Sequence, residues 1–595
     1  MQKVSQAWKD NQNQTLVSES DIEISLKLTD PEAYEDATAI DNGSSFFADT
    51  NHIVSDGEKN IVPYATFEDN QWLLDGSREI LPDSESDYGE VGYVGSMICA
   101  SDGTYSTNPI ICLEFTRVHN NLLQGITIKW SEFLNEYAKE FVITIYKGET
   151  IVARETVVDN ATVVSAVTMD ISGYDSITIE ILKWSMAYRR ARIDDIFIGM
   201  NKVFTKRDMF SYSCSQSIDP ISAELPKAEV SFSIDNSRGS YNPYNNEGLS
   251  KYLIERQEIT VKYGYKLDSG YEWIKGGKFY ISEWDAEQNG LSADFKARDL
   301  LEFMTGTYYK GLYNPSGTSL YNLAESVLQD ADLPVNSDGS VKWVIDEALK
   351  NIYTVAPLPI DTHANCLQMI ANAGECIMYQ DREGVLRVKK LEKIYTDYQI
   401  SYFNSYSKSD LSLSKPLKQV DVPYYSYTKS AEIVELFNGA MNIKGTMNVV
   451  VTYSGSATNV SATVSGGTLN SATYYSNACV LNITATGSVT MVVNGYSINT
   501  SSVQITTISS ESGETVSVDN PLITSQERAI AIGSWVESYM KNRMTLSSDW
   551  RADPRLDALD IVDNENDYGI NKVLMTSVAY SYNGAFRGSG EGRVI

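Results

Sequence analysis

Between about residues 88 and 200 the chain repeats one pattern, a short run rich in Val, Ile, Thr and Tyr followed by a polar turn. Seven runs fit it, at 109–116, 123–130, 141–146, 150–157, 163–171, 176–183 and 192–199. Each is too short and too regular in its alternation for a helix, so the expected fold is an antiparallel sandwich of jelly-roll type, with Lys147-Gly148-Glu149 as one hairpin turn. The same grammar governs residues 550–595. There, residues 557–562 and 573–581 read as two antiparallel strands, Asn564 to Gly569 supply turn chemistry, and a glycine-rich close follows. Chains commonly finish in loose polar residues, so this ordered finish is expected to be packed into an assembly.

The totals narrow the class. At 595 residues, three to five domains of roughly 150 residues are expected. Charged residues make up 21% and apolar residues 42%, and 38 Tyr and 38 Gly against 15 Pro favour β-structure over bundles or disorder. A net charge of −30 repels nucleic-acid backbones and anionic membranes and keeps a large β-rich protein in solution. The six cysteines (Cys99, Cys112, Cys214, Cys366, Cys376, Cys479) show no CxxC spacing, which argues for reduced, buried thiols made in a cytosol. Neither a signal-peptide core nor a run of about 18 apolar residues occurs, so no membrane span or signal-peptide export is expected.

Read in order, residues 21–28 alternate strictly as a half-buried strand, and residues 63–77 form a compact segment with a turn at Asp75-Gly76. After the sandwich come strands at 230–236, 257–263, 277–284 and 291–298. Helices follow at 317–333, capped by Ser319, and 362–374, capped by Thr362, and then a hairpin pairs 376–379 with 385–388. Residues 436–510 hold one charged side chain, Lys444, and their alternation predicts a small sandwich. Edge-to-edge pairing is the hazard in such a segment, and a fixed assembly partner would suppress it. A third helix is expected at 525–542.

Several stretches resemble tail-tip and baseplate hub proteins of tailed bacteriophages. They are 64–77 (YATFEDNQWLLDGS), the succession 228–236, 241–243, 254–265, 276–284 and 296–301, the unit 371–388 (ANAGECIMYQDREGVLRV), 519–522 (DNPL) and 553–560 (DPRLDALD). The resemblance implies a mainly β, multidomain fold: an N-terminal strand segment of the hub (1–84), an inserted sandwich (85–202), a first hub-type β-barrel (203–312), a small α+β domain (313–400), a second barrel with helix (401–435 and 511–595), and a low-charge β-sandwich (436–510). It further implies a structural virion component, made in the host cytoplasm, that is a homotrimer. Two barrels per chain would make a pseudo-sixfold ring adapting a sixfold tail tube to a threefold tip. The implied partners are other copies of the chain, the distal tail protein, the tail tube and the tape-measure protein. Two departures stand out: the inserted sandwich, and the absence after Ile595 of the hydrolase or fibre that many relatives carry.

The layout of the inserted sandwich is similar to the galactose-binding-like sandwich of carbohydrate-binding modules. On that reading Trp130, Trp184, Tyr188, Arg189 and Arg190 form a stacking platform for a host-surface polysaccharide. The plainer reading makes the two tryptophans core or strand-end residues. Chemistry has few candidates. The only histidines are His52, His119 and His363, and there is no HExxH, phosphate loop or nucleophile elbow. His363 and Cys366 lie three apart on one helix, with Cys366 in an apolar run. Asp194-Asp195, Asp557 with Asp560, and Asp519 are carboxylates in a chain so acidic that chance pairs are expected. A calcium site in the sandwich lacks DxDxDG spacing. The chain is therefore expected to be no enzyme and to hold no cofactor or metal. A host-surface adhesin and a tail-associated cell-wall hydrolase stand as alternatives.

Overall fold

A computed structural model of the chain describes all residues except 30–32, 34–35, 41–44, 49–52, 55–63, 76–77, 79–91, 121–122, 246–249, 251–252, 254–255, 269, 288–289 and 336–339. The alternation at 21–28 becomes the strand Ser20–Thr29, with Ile22, Ile24 and Leu26 turned into a core. This strand pairs antiparallel with Glu258–Leu267 on one side and Gly199–Phe204 on the other. Thr29 lies opposite Gly199, so everything between them is inserted into a β-hairpin whose two strands remain neighbours. An insertion whose ends already meet leaves the parent sheet unbroken.

Thirteen strands form the parent sheet. It runs from Gly199–Phe204 through Ser20–Thr29, Glu258–Leu267, Gly270–Asp285, Ser292–Arg298, Lys227–Asp235 and Met209–Ser217. It then passes to Gly569–Tyr582, Phe586–Val594, Met544–Arg551 and Asp410–Leu413, while Asp560–Asn566 pairs with Gly569–Tyr582 and with Ile394–Ile400. The strand sets expected as two barrels are therefore joined, through Met209–Ser217 against Gly569–Tyr582, from Tyr212 opposite Tyr582 to Ser217 opposite Ser577. One apolar core serves both, with Tyr263, Phe295, Trp550, Tyr580 and Phe586 among its members. The N-terminal helix Gln6–Gln12, which the sequence reading missed, is capped by Ser5 and drives Trp8 into this core edge-on to Tyr265, ring centroids 4.9 Å apart.

The last 46 residues contribute three strands rather than two. The glycine-rich close is the strand Phe586–Val594, and its glycines alternate for a steric reason: a Cβ on Gly588 would lie 2.8 Å from the Trp550 ring, and one on Gly592 would lie 2.5 Å from the Val573 side chain.

All seven strands expected in the sandwich are present, the last one broken into Arg190–Ile193, Asp195–Phe197 and Gly199–Phe204. Its start is corrected. Ala37–Ile40 pairs with Ile110–His119, and Ser45–Ala48 pairs with Tyr93–Ile98, so the sandwich takes in residues from about 33 rather than 85. It ends near 198, because Gly199–Phe204 belongs to the parent sheet. Residues 64–72 also belong to it, through Glu68, rather than to the hub segment. Gly76 of the turn expected at Asp75-Gly76, and His52, lie outside the described residues.

The helices Leu320–Asp330 and His363–Ala373 carry the expected caps, with Ser319 and Thr362 accepting from Asn322 and Asn365 backbone N–H groups. They pack over Cys376–Gln380 and Leu386–Lys390, to which Trp343–Ile345 adds in parallel. The third helix, expected at 525–542, spans Gln526–Met540 with Ser525 as its cap, and it places Ala529, Ile532 and Val536 in this α+β core, not in a barrel. Leu417, Val420 and Val422 join it there. They begin the strand Leu417–Asn442, which pairs with Ser488–Ile508 as a ribbon roughly 70 Å long at about 3.3 Å per residue. The far end of that ribbon, with Ala457–Ser465, faces the three strands Gly445–Thr452, Ala478–Ala485 and Thr468–Tyr474 across a core of Val449, Val451, Leu481, Ile483 and Val493. This is the low-charge sandwich, and a second tether holds it. Asn477 donates to the Leu358 carbonyl at 2.6 Å, and Ser476 N–H donates to the Lys310 carbonyl at 3.0 Å.

Asp299 caps the short helix Leu300–Thr305, its carboxylate accepting from Leu301 N–H at 3.1 Å. Burial pushes its pKa up to about 7. The folded protein then binds a proton that the unfolded chain releases near pH 4, so this group's contribution falls as pH rises from about 4 to about 7 and is flat above. Asp299→Asn keeps the cap and removes the buried charge. It is expected to raise stability by about 1–4 kcal/mol at pH 8 and to change little at pH 4, as thermal unfolding at the two pH values would measure.

Candidate functional site

The residues expected to form a sugar platform do not assemble into one. Trp130 and Trp184 are fully buried and pack edge to face, ring centroids 6.0 Å apart. Their indole N–H groups donate inward, to Ser165 Oγ at 2.8 Å and Glu136 Oε2 at 2.9 Å. Neither offers a ring face to solvent, because both fall on the inward side of the strand pleat. Arg189 donates from Nε to Glu136 Oε1 at 2.9 Å, and Arg190 is buried with its guanidinium on the Gly95 carbonyl at 3.2 Å. Tyr188 alone is open, 56% exposed.

An aromatic pair that the sequence reading did not single out is exposed nearby. Phe67 and Trp72 stack with centroids 4.3 Å apart and planes 10° from parallel, and they are 69% and 45% exposed. Glu68 between them is buried and fixes the segment, accepting from Arg190 N–H at 2.7 Å and from Arg192 Nη1 at 3.0 Å. Burial works to raise the Glu68 pKa, but the Arg192 guanidinium outweighs it and the carboxylate is held below its usual range.

The remaining candidates are structural in their contacts. His363 Nε2 lies 3.0 Å from Asp330 Oδ2, and Lys310 pairs with the same carboxylate at 2.8 Å. Cys366 is fully buried against the Pro359 carbonyl, and burial pushes its thiol up to about 12, far from an activated nucleophile. Asp194 accepts from Glu132 N–H at 2.9 Å, with its pKa pushed up to about 6 by burial. Asp519 accepts from the Tyr425 hydroxyl. Among the described residues no group of three or more His, Cys, Asp or Glu side chains is placed to hold a metal ion. No helix of the described residues is long and apolar enough to cross a membrane.

What the motifs do assemble is a junction. The hairpin between Cys376–Gln380 and Leu386–Lys390 sends Arg382 into the loop that precedes Asp560–Asn566. Its guanidinium donates to Asp557 Oδ1 at 2.6 Å and to the carbonyls of Lys275, Pro554 and Leu556 at 2.7, 2.8 and 3.0 Å. Burial opposes its charge, yet Asp557 keeps it firmly protonated. Asp553, wholly buried, accepts from Arg555 Nε at 2.7 Å and from the Trp8 indole at 3.3 Å. Asp560 accepts from Asp557 N–H at 2.9 Å, so the carboxylates proposed as a pair are a salt-bridge partner and a turn cap. On the other side, Asn520 donates to Asn372 Oδ1 at 2.9 Å and to the Met369 carbonyl at 2.8 Å, while Asn372 reaches the Ile221 carbonyl at 2.9 Å. Residues 371–388 thus meet both other segments, 553–560 at the seam between the α+β core and the thirteen-stranded sheet, and 519–522 within the α+β core.

No protein-family model matches the chain, and no curated protein matches it. Solved structures do. The 43 kDa tail protein of prophage MuSo2 from Shewanella oneidensis is similar at 10% identity, over 66% of this chain and 95% of its own, with a TM-score of 0.36. The tail protein from Neisseria meningitidis MC58 is similar at 8% identity, over 66% and 94%, with a TM-score of 0.39. The prophage tail protein gp18 from Listeria monocytogenes EGD-e is similar at 10% identity, over 67% and 91%, with a TM-score of 0.35. All three are tail proteins. Identities and TM-scores this low say nothing of activity or partners.

Removing Arg382 would leave Asp557 and three carbonyls without their donor. Arg382→Ala is expected to cost about 3–5 kcal/mol, and Arg382→Lys, which cannot reach four acceptors at once, to recover only part of it. Chemical denaturation of the two variants beside the parent measures this.

Proposed function

We propose that the chain is a structural hub at the tail tip or baseplate of a phage, prophage or phage-derived particle. The observation that carries this reading is the seam. Of the four segments that resemble hub proteins most specifically, 371–388, 519–522 and 553–560 are spent on packing the α+β core and tying it to the sheet, through Arg382, Asn520 and Asp557, while residues 64–72 of the fourth, 64–77, belong to the inserted sandwich. Residues kept for a frame rather than for chemistry suit a structural role, not a catalytic one. The continuous thirteen-stranded sheet is a further support, since it joins the two strand sets that a ring-forming chain would present twice per copy. In this reading the protein is a homotrimer resident in the virion tail. It adapts a sixfold tube to a threefold tip, against the distal tail protein, the tail tube and the tape-measure protein.

Light scattering of the purified full chain is expected to give three times the chain mass, and an averaged particle image to place it on the tail axis with threefold symmetry. A monomer at tens of micromolar, together with a particle image lacking density for it at the tip, would end the hub reading. Truncation after Asp549 removes three strands of the sheet and Trp550 with them, so the expected outcome is loss of the sheet's folding, not only of assembly.

The sandwich inserted between Thr29 and Gly199 hangs from the hub and, in the same reading, meets the host surface. The stacked and exposed Phe67 and Trp72 favour a neutral polysaccharide there, because ring faces pack on pyranose C–H surfaces and an acidic protein repels anionic polymers. Trp72→Ala in the full chain is expected to lower glycan-array binding or host-cell adsorption at least tenfold with the unfolding temperature unchanged. Equal adsorption by variant and parent would leave the sandwich as decoration.

A further inference from the structure

Residues 436–510 hold a single charged side chain, Lys444, in a chain of net charge −30. They build the far half of the ribbon and the sandwich at its tip. In that sandwich the strand Gly445–Thr452 buries Val449 and Val451 and turns Thr446, Asn448, Val450 and Thr452 outward, Val450 being 47% exposed. The outward side chains are linked across strands. Asn482 donates to Asn448 Oδ1 at 2.7 Å, Asn470 donates to Asn482 Oδ1 and Thr484 Oγ1, each at 2.8 Å, and the Thr446 and Thr484 hydroxyls lie 2.7 Å apart. The result is a flat, uncharged face whose side chains are already fixed, so little rotamer freedom would be lost on docking. On the opposite sheet, the edge strand Ala457–Ser465 pairs only with Ser488–Ile508 and carries no Lys, Asp, Glu or Pro. Soluble proteins protect exposed edges and flat sheets with such residues, so bare ones call for a cover.

Charge selects the cover. A basic partner would gain by docking on the acidic remainder of the surface. A second copy of this chain is repelled there and meets no repulsion at the tip sandwich. We infer that the tip sandwich is a self-association surface, the face around Asn448 and Val450 of one copy packing on the uncharged sandwich of the next. This rests on the trimer of the hub reading. Threefold contacts join two different patches of the same chain, and the sandwich supplies both, the three-stranded face around Asn448 and the edge strand Ala457–Ser465, neither of which carries a charged side chain, while Glu435 lies on the strand Leu417–Asn442.

The test uses the full chain and Val450→Glu, with unfolding temperature and circular dichroism as folding controls. Thr452→Glu, on the same outward face, replaces it if those controls shift. Subunit exchange between isotopically light and heavy protein is followed by mass spectrometry. The variant is expected to exchange at least tenfold faster than the parent, because a carboxylate would be buried unpaired in the contact. A trimeric parent whose variant exchanges within twofold of it overturns the self-association surface and leaves the hub reading standing. Unchanged exchange with lost adsorption to host cells overturns it too and assigns the face to a surface glycan. A parent that is monomeric at tens of micromolar removes this inference, and a particle image lacking density for it at the tip would then remove the hub reading as well.

Discussion

One buried guanidinium sets the relation between the two largest parts of this protein. Arg382 enters the seam largely shielded from water, with four acceptors waiting, one of them charged. A cation in that position is tolerable only with every partner in place, so the hairpin that carries Arg382 and the loop around Asp557 have to settle together. Asp553 repeats the logic a few residues earlier, holding Arg555 and the Trp8 indole at once. Because Trp8 comes from one end of the sequence and Asp553 from the other, these contacts also make the sheet's core depend on chain segments more than 500 residues apart.

The insertion shows how a large domain joins such a frame without disturbing it. Ser20–Thr29 and Gly199–Phe204 would be adjacent strands of an ordinary hairpin whether or not a sandwich stood between them. The ribbon repeats the device in the second half of the chain. Leu417–Asn442 and Ser488–Ile508 rest on Gln526–Met540 at their base and carry a second sandwich at their far end, tied back by Ser476 and Asn477. Both additions are carried out on antiparallel pairs, the first from the thirteen-stranded sheet and the second from the α+β core, and such pairing satisfies the backbone groups between the two strands on the way out.

Much of this was legible beforehand. Helix caps at Ser319 and Thr362 announce themselves because a hydroxyl before an apolar run answers free N–H groups. Strand alternation is equally local. Two misreadings have physical causes. The strand Phe586–Val594 hides behind its glycines, which lack strand propensity but are demanded by the Trp550 ring below them. Trp130 and Trp184 look alike as core or platform residues, since aromatic side chains suit both and only the pleat of the folded strand decides which side they face. The exposed pair Phe67 and Trp72 was quoted as part of a motif, yet nothing local distinguishes a solvent-facing aromatic from a buried one.

The amino-acid sequence by itself determined the elements: strands from period-two alternation, helices from caps and apolar faces, and an uncharged segment from 436 to 510 in an acidic chain. These depend on neighbours a few residues apart. Only the tertiary structure decided the partnerships. It merged the two expected barrels into one sheet, moved Gln526–Met540 into the α+β core, drew the strands Ala37–Ile40 and Ser45–Ala48 and residues 64–72 into the inserted sandwich, and turned Asp557 and Asp560 from a candidate acid pair into parts of a seam. Strand pairing and buried ion pairing join residues hundreds of positions apart, and no periodicity in the sequence encodes which distant partner completes them.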